Sequence, residues 1–227
     1  MLFMLTELKD RYSIRVMNMK IETFTLGVLS TNAYLLYHQT NKAGVVIDPG
    51  ENPDPLLARI KELELKIEAI LLTHAHFDHI AGLNPVRAFT EAPVYIHTLE
   101  KDWLHDPQKN GSALWLEHTP VSCSPADFIL EGGETLTFFG ETFQVIHTPG
   151  HSPGSVTYHH QAGMFSGDVL FAGSIGRTDL PGGDYQQLVN TLQSHFLNQP
   201  GETNVYPGHG PKTTIEKEKK TNPFLQS

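Results

Sequence analysis

Four side chains able to ligate a metal, His74, His76, Asp78 and His79, fall within six residues of the segment THAHFDH. Imidazole nitrogens and carboxylate oxygens are the donors that zinc and iron take in proteins. The segment follows the apolar run AILL, which reads as a strand. If the chain stays extended, residues 74, 76 and 78 project to one side, and a turn at 78–79 swings the fourth group back, with no helix needed. Three later positions repeat the pattern of a polar donor closing a β-rich run beside glycine: His151 in HTPGHSPGS, Asp168 in FSGDVLF and His209 in YPGHGP. Glycine lets backbones crowd around a site. His74, His76 and His151 with Asp168 make one donor set, and Asp78, His79 and His209 with the shared Asp168 make another. A pair of cations roughly 4 Å apart lowers the pKa of a water held between them and polarises a carbonyl or phosphoryl oxygen, which is hydrolytic chemistry.

The remaining histidines of the thirteen do not share this placing. His147 lies four before His151, but Pro149 and Gly150 between them forbid a helix, so only one is a ligand. His151 follows the turn as the other donors do, whereas His147 falls inside a strand and reads as a buried or supporting residue. His38, His97, His105, His118, His159, His160 and His195 read as structural or surface groups. Asp48, in VVIDPG, either orients a ligand or forms the turn. Cys123, the single cysteine, reads as a small inert hydrophobe and leaves no thiolate cluster for a metal.

The elements that must carry these groups are mostly strands. IETFTL, NAYLLYH and AGVVIDPG form a meander, its third strand β-branched and stopped by Pro49-Gly50. Asp54, Leu56, Leu57, Ile60 and Leu63 have helical spacing, and KIEAILLT is the strand that ends at the first histidines. Leu83, Val86, Arg87 and Phe89 predict a helix and PVYIH a strand; residues 98–127 carry no readable period. ETLTFFG with ETFQVIHT predicts a hairpin, and SVTYHH and AGMFSGD two more strands. Asp184 caps a helix expected to bury Tyr185, Leu188, Val189, Leu192 and Phe196, and the tail TTIEKEKK reads as a solvated helical face. Residues 1–18 are read as an N-terminal extension, poorly ordered or the product of an upstream start codon, and 19–227 as one domain.

Composition narrows the function further. The chain has 227 residues, 39% apolar and 18% charged, which fits a globular protein and excludes a disordered, fibrous or membrane-spanning one. A net charge of -9 repels phosphate backbones and anionic lipid, so neither nucleic acid nor a membrane is expected as a partner. One cysteine fits a reducing cytoplasm, and MLFMLTELKD lacks the features of an export signal.

In this order, THAHFDH, TPGHSPGS, SGDVLF and YPGHG resemble the metallo-β-lactamase superfamily and, within it, the short glyoxalase II-like hydrolases. The resemblance runs from about Lys20 to the NPFL tail. It implies an αββα sandwich with the metal site at one edge. His74, His76 and His151 would hold one metal, Asp78, His79 and His209 the second, and Asp168 would bridge. The implied cofactors are two divalent ions, zinc first, with iron or manganese as alternatives. The implied reaction is hydroxyacylglutathione hydrolase-like: a bridging hydroxide attacks a thioester carbonyl, Asp78 orients the nucleophile, and Asp78 and Asp168 are the catalytic carboxylates. Two divalent cations, two carboxylates and a hydroxide sum to about +1, a local attraction for a small anionic thioester. Too little chain follows His209 for the helical domain with which full-length glyoxalase II grips glutathione, so another acyl-thiol or ester is open. GSIGRTDLPGGD also resembles the persulfide dioxygenase branch, which uses one iron bound by two histidines and a carboxylate. A nuclease would want a basic surface, and a non-catalytic metal-binding module is the remaining alternative.

Overall fold

The computed structural model describes residues 19–116 and 118–226; the expected extension at 1–18 lies outside them. The chain opens with the meander β1 (Met19–Leu26), β2 (Thr31–His38) and β3 (Ala43–Ile47), antiparallel in register Tyr34 to Ile47. Helix α1 (Asp54–Glu62) returns it to β4 (Lys66–Leu71), parallel to β3. The single turn α2 (Phe77–Ile80) and helix α3 (Leu83–Thr90) lead to β5 (Val94–His97). The unreadable stretch holds two 3-10 turns, Thr98–Glu100 and Trp103–His105, and the single turn α4 (Ser112–Trp115). Strand β6 (Phe128–Leu130), not foreseen, closes the first sheet in the order β1-β2-β3-β4-β5-β6. Three residues are too few to show a period-2 pattern.

The hairpin β7 (Thr135–Phe138) and β8 (Glu141–His147) begins the second sheet, continued by β9 (Val156–His160) and β10 (Gly163–Gly167). A small ribbon, β11 (Leu170–Phe171) and β12 (Ser174–Ile175), precedes α5 (Tyr185–Thr191), which runs on as a π turn over Leu192–Phe196. Strands β13 (Asn204–Pro207) and β14 (Thr213–Thr214) and helix α6 (Ile215–Thr221) end the fold. The second sheet runs β14-β13-β10-β9-β8-β7, with β10 parallel to β13.

Period-2 alternation sorts the core into layers. Tyr34, Leu36, Val45, Ile47 and Leu71 face Phe143, Val145, Tyr158 and Phe165 between the sheets. Their neighbours Leu35, Val46 and Ile70 point outward against Leu56 and Ile60 of α1 and Leu83 and Val86 of α3. On the far side Met164 and Val205 meet Leu188, Leu192 and Phe196. The result is the four-layer αββα sandwich that the motifs implied, in one domain. Two details of the reading are corrected. Tyr185 is 54% exposed, because it occupies the first turn of α5 ahead of the apolar stripe. The tail helix is not wholly solvated: Glu218 is fully buried and accepts from the Thr213 hydroxyl, the Gly173 amide and Asn222 Nδ2, tying α6 to the ribbon. No helix among the described residues is long and apolar enough to cross a membrane.

Candidate metal centre

All seven donor residues sit just beyond the carboxyl ends of strands: His74 and His76 after β4, His151 after β8, Asp168 after β10 and His209 after β13. Asp78 and His79 follow on α2. Parallel strands deliver successive connections to one edge, which is why groups so far apart in sequence share a place. Bonds between the sheets clamp that edge. Tyr34 Oη donates to the Pro207 carbonyl at 2.6 Å, Tyr158 Oη to the Leu72 carbonyl at 2.9 Å, and the Asn32 amide nitrogen to the Gly208 carbonyl at 2.7 Å.

The first motif is not extended throughout. The chain is extended at His76, then turns helical, with the Phe77 amide held by the Asn110 carbonyl and the His79 amide by the His76 carbonyl. Asp78 and His79 therefore leave the first turn of a short helix rather than a strand. They diverge by about 100° as neighbours on a helix do, and both still reach the site.

The donors converge in two groups. Ligand atoms of His74, His76 and His151 lie within 4.8 Å of one another, as do those of Asp78, His79 and His209. His76 Nδ1 is 2.9 Å from His151 Nε2, and His209 Nε2 is 3.2 Å from Asp78 Oδ2. Asp168 faces both groups: Oδ1 is 3.3 Å from His79 Nε2, and Oδ2 is 3.5 Å from both His151 Nε2 and His209 Nε2. Asp48 could complete a third trio with His74 and His79, but its carboxylate is taken. It accepts from the Thr73 amide and hydroxyl, at 2.8 and 2.6 Å, and from His79 Nδ1 at 3.0 Å. The carboxylate therefore holds the His79 ring from behind, the orienting role of the two expected for it.

Among the described residues four buried side-chain atoms lack a hydrogen-bond partner: His74 Nε2, His76 Nε2, His79 Nε2 and Asp168 Oδ1. Buried polar atoms are nearly always partnered, and orphans concentrated in one cluster of imidazoles and carboxylate are the donor set of a transition metal. The opposite ring nitrogens show the same design. His151 Nδ1 meets the Arg177 carbonyl at 2.7 Å, His209 Nδ1 the Leu29 carbonyl at 3.1 Å, and His79 Nδ1 the Asp48 carboxylate. These oxygens only accept, so Nδ1 carries a proton and Nε2 is the atom turned toward the centre. His74 Nδ1 is set likewise at 3.0 Å from Thr73 Oγ1, whose own proton goes to Asp48.

The electrostatics divide along the same line. Burial and the neighbouring rings of His79, His76 and His151 hold His74 well below the usual imidazole range. Burial and the His151 ring push His76 down to about 3, and burial lowers His151 too. These three stay neutral and ligand-competent. In the second group burial opposes the charge of His79, but Asp78, Asp168 and Asp48 outweigh it and hold the ring well above its ordinary value. For His209 burial is likewise outweighed by Asp168 and Asp78, which raise it to about 9. Burial works against ionised Asp78, yet His79 and His209 bring it down to about 2; Asp168 lies well below the carboxylate range through His79 and His209. Two ionised, nearly buried carboxylates require positive partners.

Glycine is needed where these chains crowd. A Cβ on Gly208 would stand 2.1 Å from Asp168 Oδ1 and 2.6 Å from His79 Cε1. Glu100 was missed from the sequence, lying where no period was legible. It is fully buried, and its carboxylate accepts from the Ala75 amide at 2.6 Å, the Ser152 hydroxyl at 2.5 Å and the Gly154 amide at 2.7 Å. The other histidines stay outside the centre. His38 and His160 share the Glu141 carboxylate at 2.8 and 3.0 Å at the opposite ends of their strands. His97 and His147 stack at 4.2 Å, and His105 and His118 are exposed.

The metallo-β-lactamase superfamily model matches residues 26–209. A Bacillus subtilis protein described as "probable metallo-hydrolase YqgX" is 43% identical over 209 residues, 91% of this chain and 98% of its own. The hydroxyacylglutathione hydrolase GloC of Haemophilus influenzae is 32% identical, over 92% of this chain and 99% of its own. Among solved structures, BLEG-1, titled a B3 metallo-β-lactamase, superposes with a TM-score of 0.88 at 47% identity, covering 92% of this chain and all of that one. TTHA1623 in a di-iron-bound form gives 0.79 at 45%, covering 90% and 100%, and ETHE1 from Myxococcus xanthus 0.75 at 30%, covering 90% and 84%. With the family model spanning most of its length and both sheets in place, this chain belongs to the metallo-β-lactamase superfamily.

Proposed function

We propose that the protein is a metal-dependent hydrolase of a small thioester. His74, His76 and His151 would hold one divalent cation and Asp78, His79 and His209 a second, with Asp168 facing both groups. The observation that carries this reading is the placing of Asp168, whose two oxygens face imidazoles of both groups at 3.3 to 3.5 Å. When bound, such cations supply a nucleophile at neutral pH by lowering the pKa of water and polarise the acyl oxygen.

The chain's own groups do the rest. Asp78 stays ionised, and its Oδ2 is fixed by the Thr31 hydroxyl at 2.7 Å, so it can accept a hydrogen from the attacking water and aim it. Among the described residues no lysine, tyrosine or glutamate lines the cleft above the centre to protonate a leaving group. A thiol with a pKa of about 8.5 departs without one, whereas an amide nitrogen does not. That favours a thioester over the lactam suggested by the name of BLEG-1, and agrees with the name of GloC. The complete second donor group weighs against a one-iron oxygenase, which would leave it without a use.

The test is turnover of a thioester panel by metal-loaded protein, with and without chelator, beside oxygen uptake with glutathione persulfide. Chelator-sensitive thioester cleavage without oxygen uptake is expected. Oxygen uptake with one iron per chain overturns the reading.

A further inference from the structure

The cleft over the candidate centre, a cavity of about 170 Å³ open to solvent, has an unusual wall. Its floor is the donor cluster, while Leu29, Phe77, Trp115 and Leu180 form most of the sides. Leu29, in the turn between β1 and β2, is 49% exposed, and Trp115, at the end of α4, is 60% exposed. Their neighbours Val28 and Leu114 stand out further, at 78% and 65%. Two separate segments thus hold large apolar side chains in water around one opening. Apolar side chains gathered in water around one opening are the usual lining of a binding surface.

Charge on the wall is nearly absent. Arg177 is the one arginine or lysine among the described lining residues, and its guanidinium is engaged by Asp179, Nε to Oδ1 at 2.7 Å and Nη2 to Oδ2 at 2.8 Å. A tripeptide thiol such as glutathione brings two carboxylates and an ammonium, and this wall offers them little.

Resting on the hydrolase reading, we infer that the thioester bears an apolar, uncharged arm, alkyl or aryl, packed between Trp115 and the Leu29–Phe77 side of the cleft. Trp115 and Leu29 are the specificity-determining residues. The reaction remains hydrolysis: water adds to the acyl carbon, the carbon–sulfur bond breaks, and a carboxylate, a thiol and one proton are released.

The experiment compares kcat/KM of the metal-loaded protein on two thioester series, one varying the acyl group and one the thiol, each running from methyl to benzyl, beside an acyl-glutathione. At least one series should rise with apolar size and exceed the glutathione thioester. Trp115→Ala should cut the benzyl-to-methyl ratio in that series about tenfold, chiefly through KM. Leu29→Asp should do the same, with metal content unchanged in both. Trp115 and Leu29 are exposed, so neither substitution removes core packing. If the glutathione thioester is the best substrate, or Trp115→Ala and Leu29→Asp leave the ratio unmoved, the inference is overturned while the hydrolase reading stands. If fully metallated protein turns over no thioester at all, the hydrolase reading falls, and the inference falls with it.

Discussion

The carboxylate of Glu100 accepts the amide hydrogen of Ala75 at 2.6 Å, between two of the converging histidines. Its other oxygen accepts from Ser152 and Gly154, the residues that follow His151. One buried side chain therefore ties the loop after β4 to the loop after β8 and fixes the separation of His76 from His151.

Glu100→Gln is expected to leave one of these amides unpaired, because a side-chain NH₂ cannot accept. The stability cost is on the order of 2 kcal/mol, and metal retention should weaken roughly 10- to 100-fold. Urea unfolding together with metal titration against a competing chelator checks both. A variant destabilised as expected but with unchanged metal affinity would reduce Glu100 to a structural strut.

Gly208 is crowded by the carboxylate it faces rather than by its own backbone angles. Gly208→Ala forces a methyl group against Asp168 Oδ1 and His79, so one of the two must move. Circular dichroism is expected to stay native in shape while bound metal per chain falls. Full metal content in Gly208→Ala would show that Asp168 has room to shift without consequence.

Acid should weaken the fold through histidines outside the centre. Burial holds His159 below its ordinary 6.5, and burial lowers His97 and His160 as well. Unfolding returns these rings to about 6.5, so the unfolded chain takes up protons first as pH drops. Their contribution is whole above about pH 6.5 and is lost as pH falls from there toward the folded values. The urea midpoint should decline between pH 7.5 and 5.5, and less steeply in His159→Gln. An identical pH slope in that variant would contradict the assignment.

Much of this was legible in the sequence, for physical reasons that also mark where legibility ended. His74, His76, Asp78, His79, His151, Asp168 and His209 stand beside glycine, proline or strand ends, so residue type and local spacing were enough to single them out as candidate donors, which the fold brings together. The meander and α1 were legible because apolar period survives in runs of five or more residues. Residues 98–127 were opaque because their buried polar groups are satisfied outside any regular element, Glu100 by Ala75, Ser152 and Gly154, and Asn110 and Ser112 by Trp103, Val121 and each other, an arrangement no apolar period encodes. The helical turn at Phe77–Ile80 depends on the Asn110 carbonyl for the same reason. Tyr185 was misplaced because helical spacing gives a face but not where packing along it begins.

Elemental analysis of metal-reconstituted protein reaches the central claim most directly, with the wild type, His76→Ala, Asp168→Ala and His97→Ala measured side by side. Two cations shared through one carboxylate predict about two ions per chain in the wild type and in His97→Ala, and loss of retained metal in His76→Ala and Asp168→Ala. A wild-type chain that holds no ion, or an Asp168→Ala chain that keeps both, would contradict it.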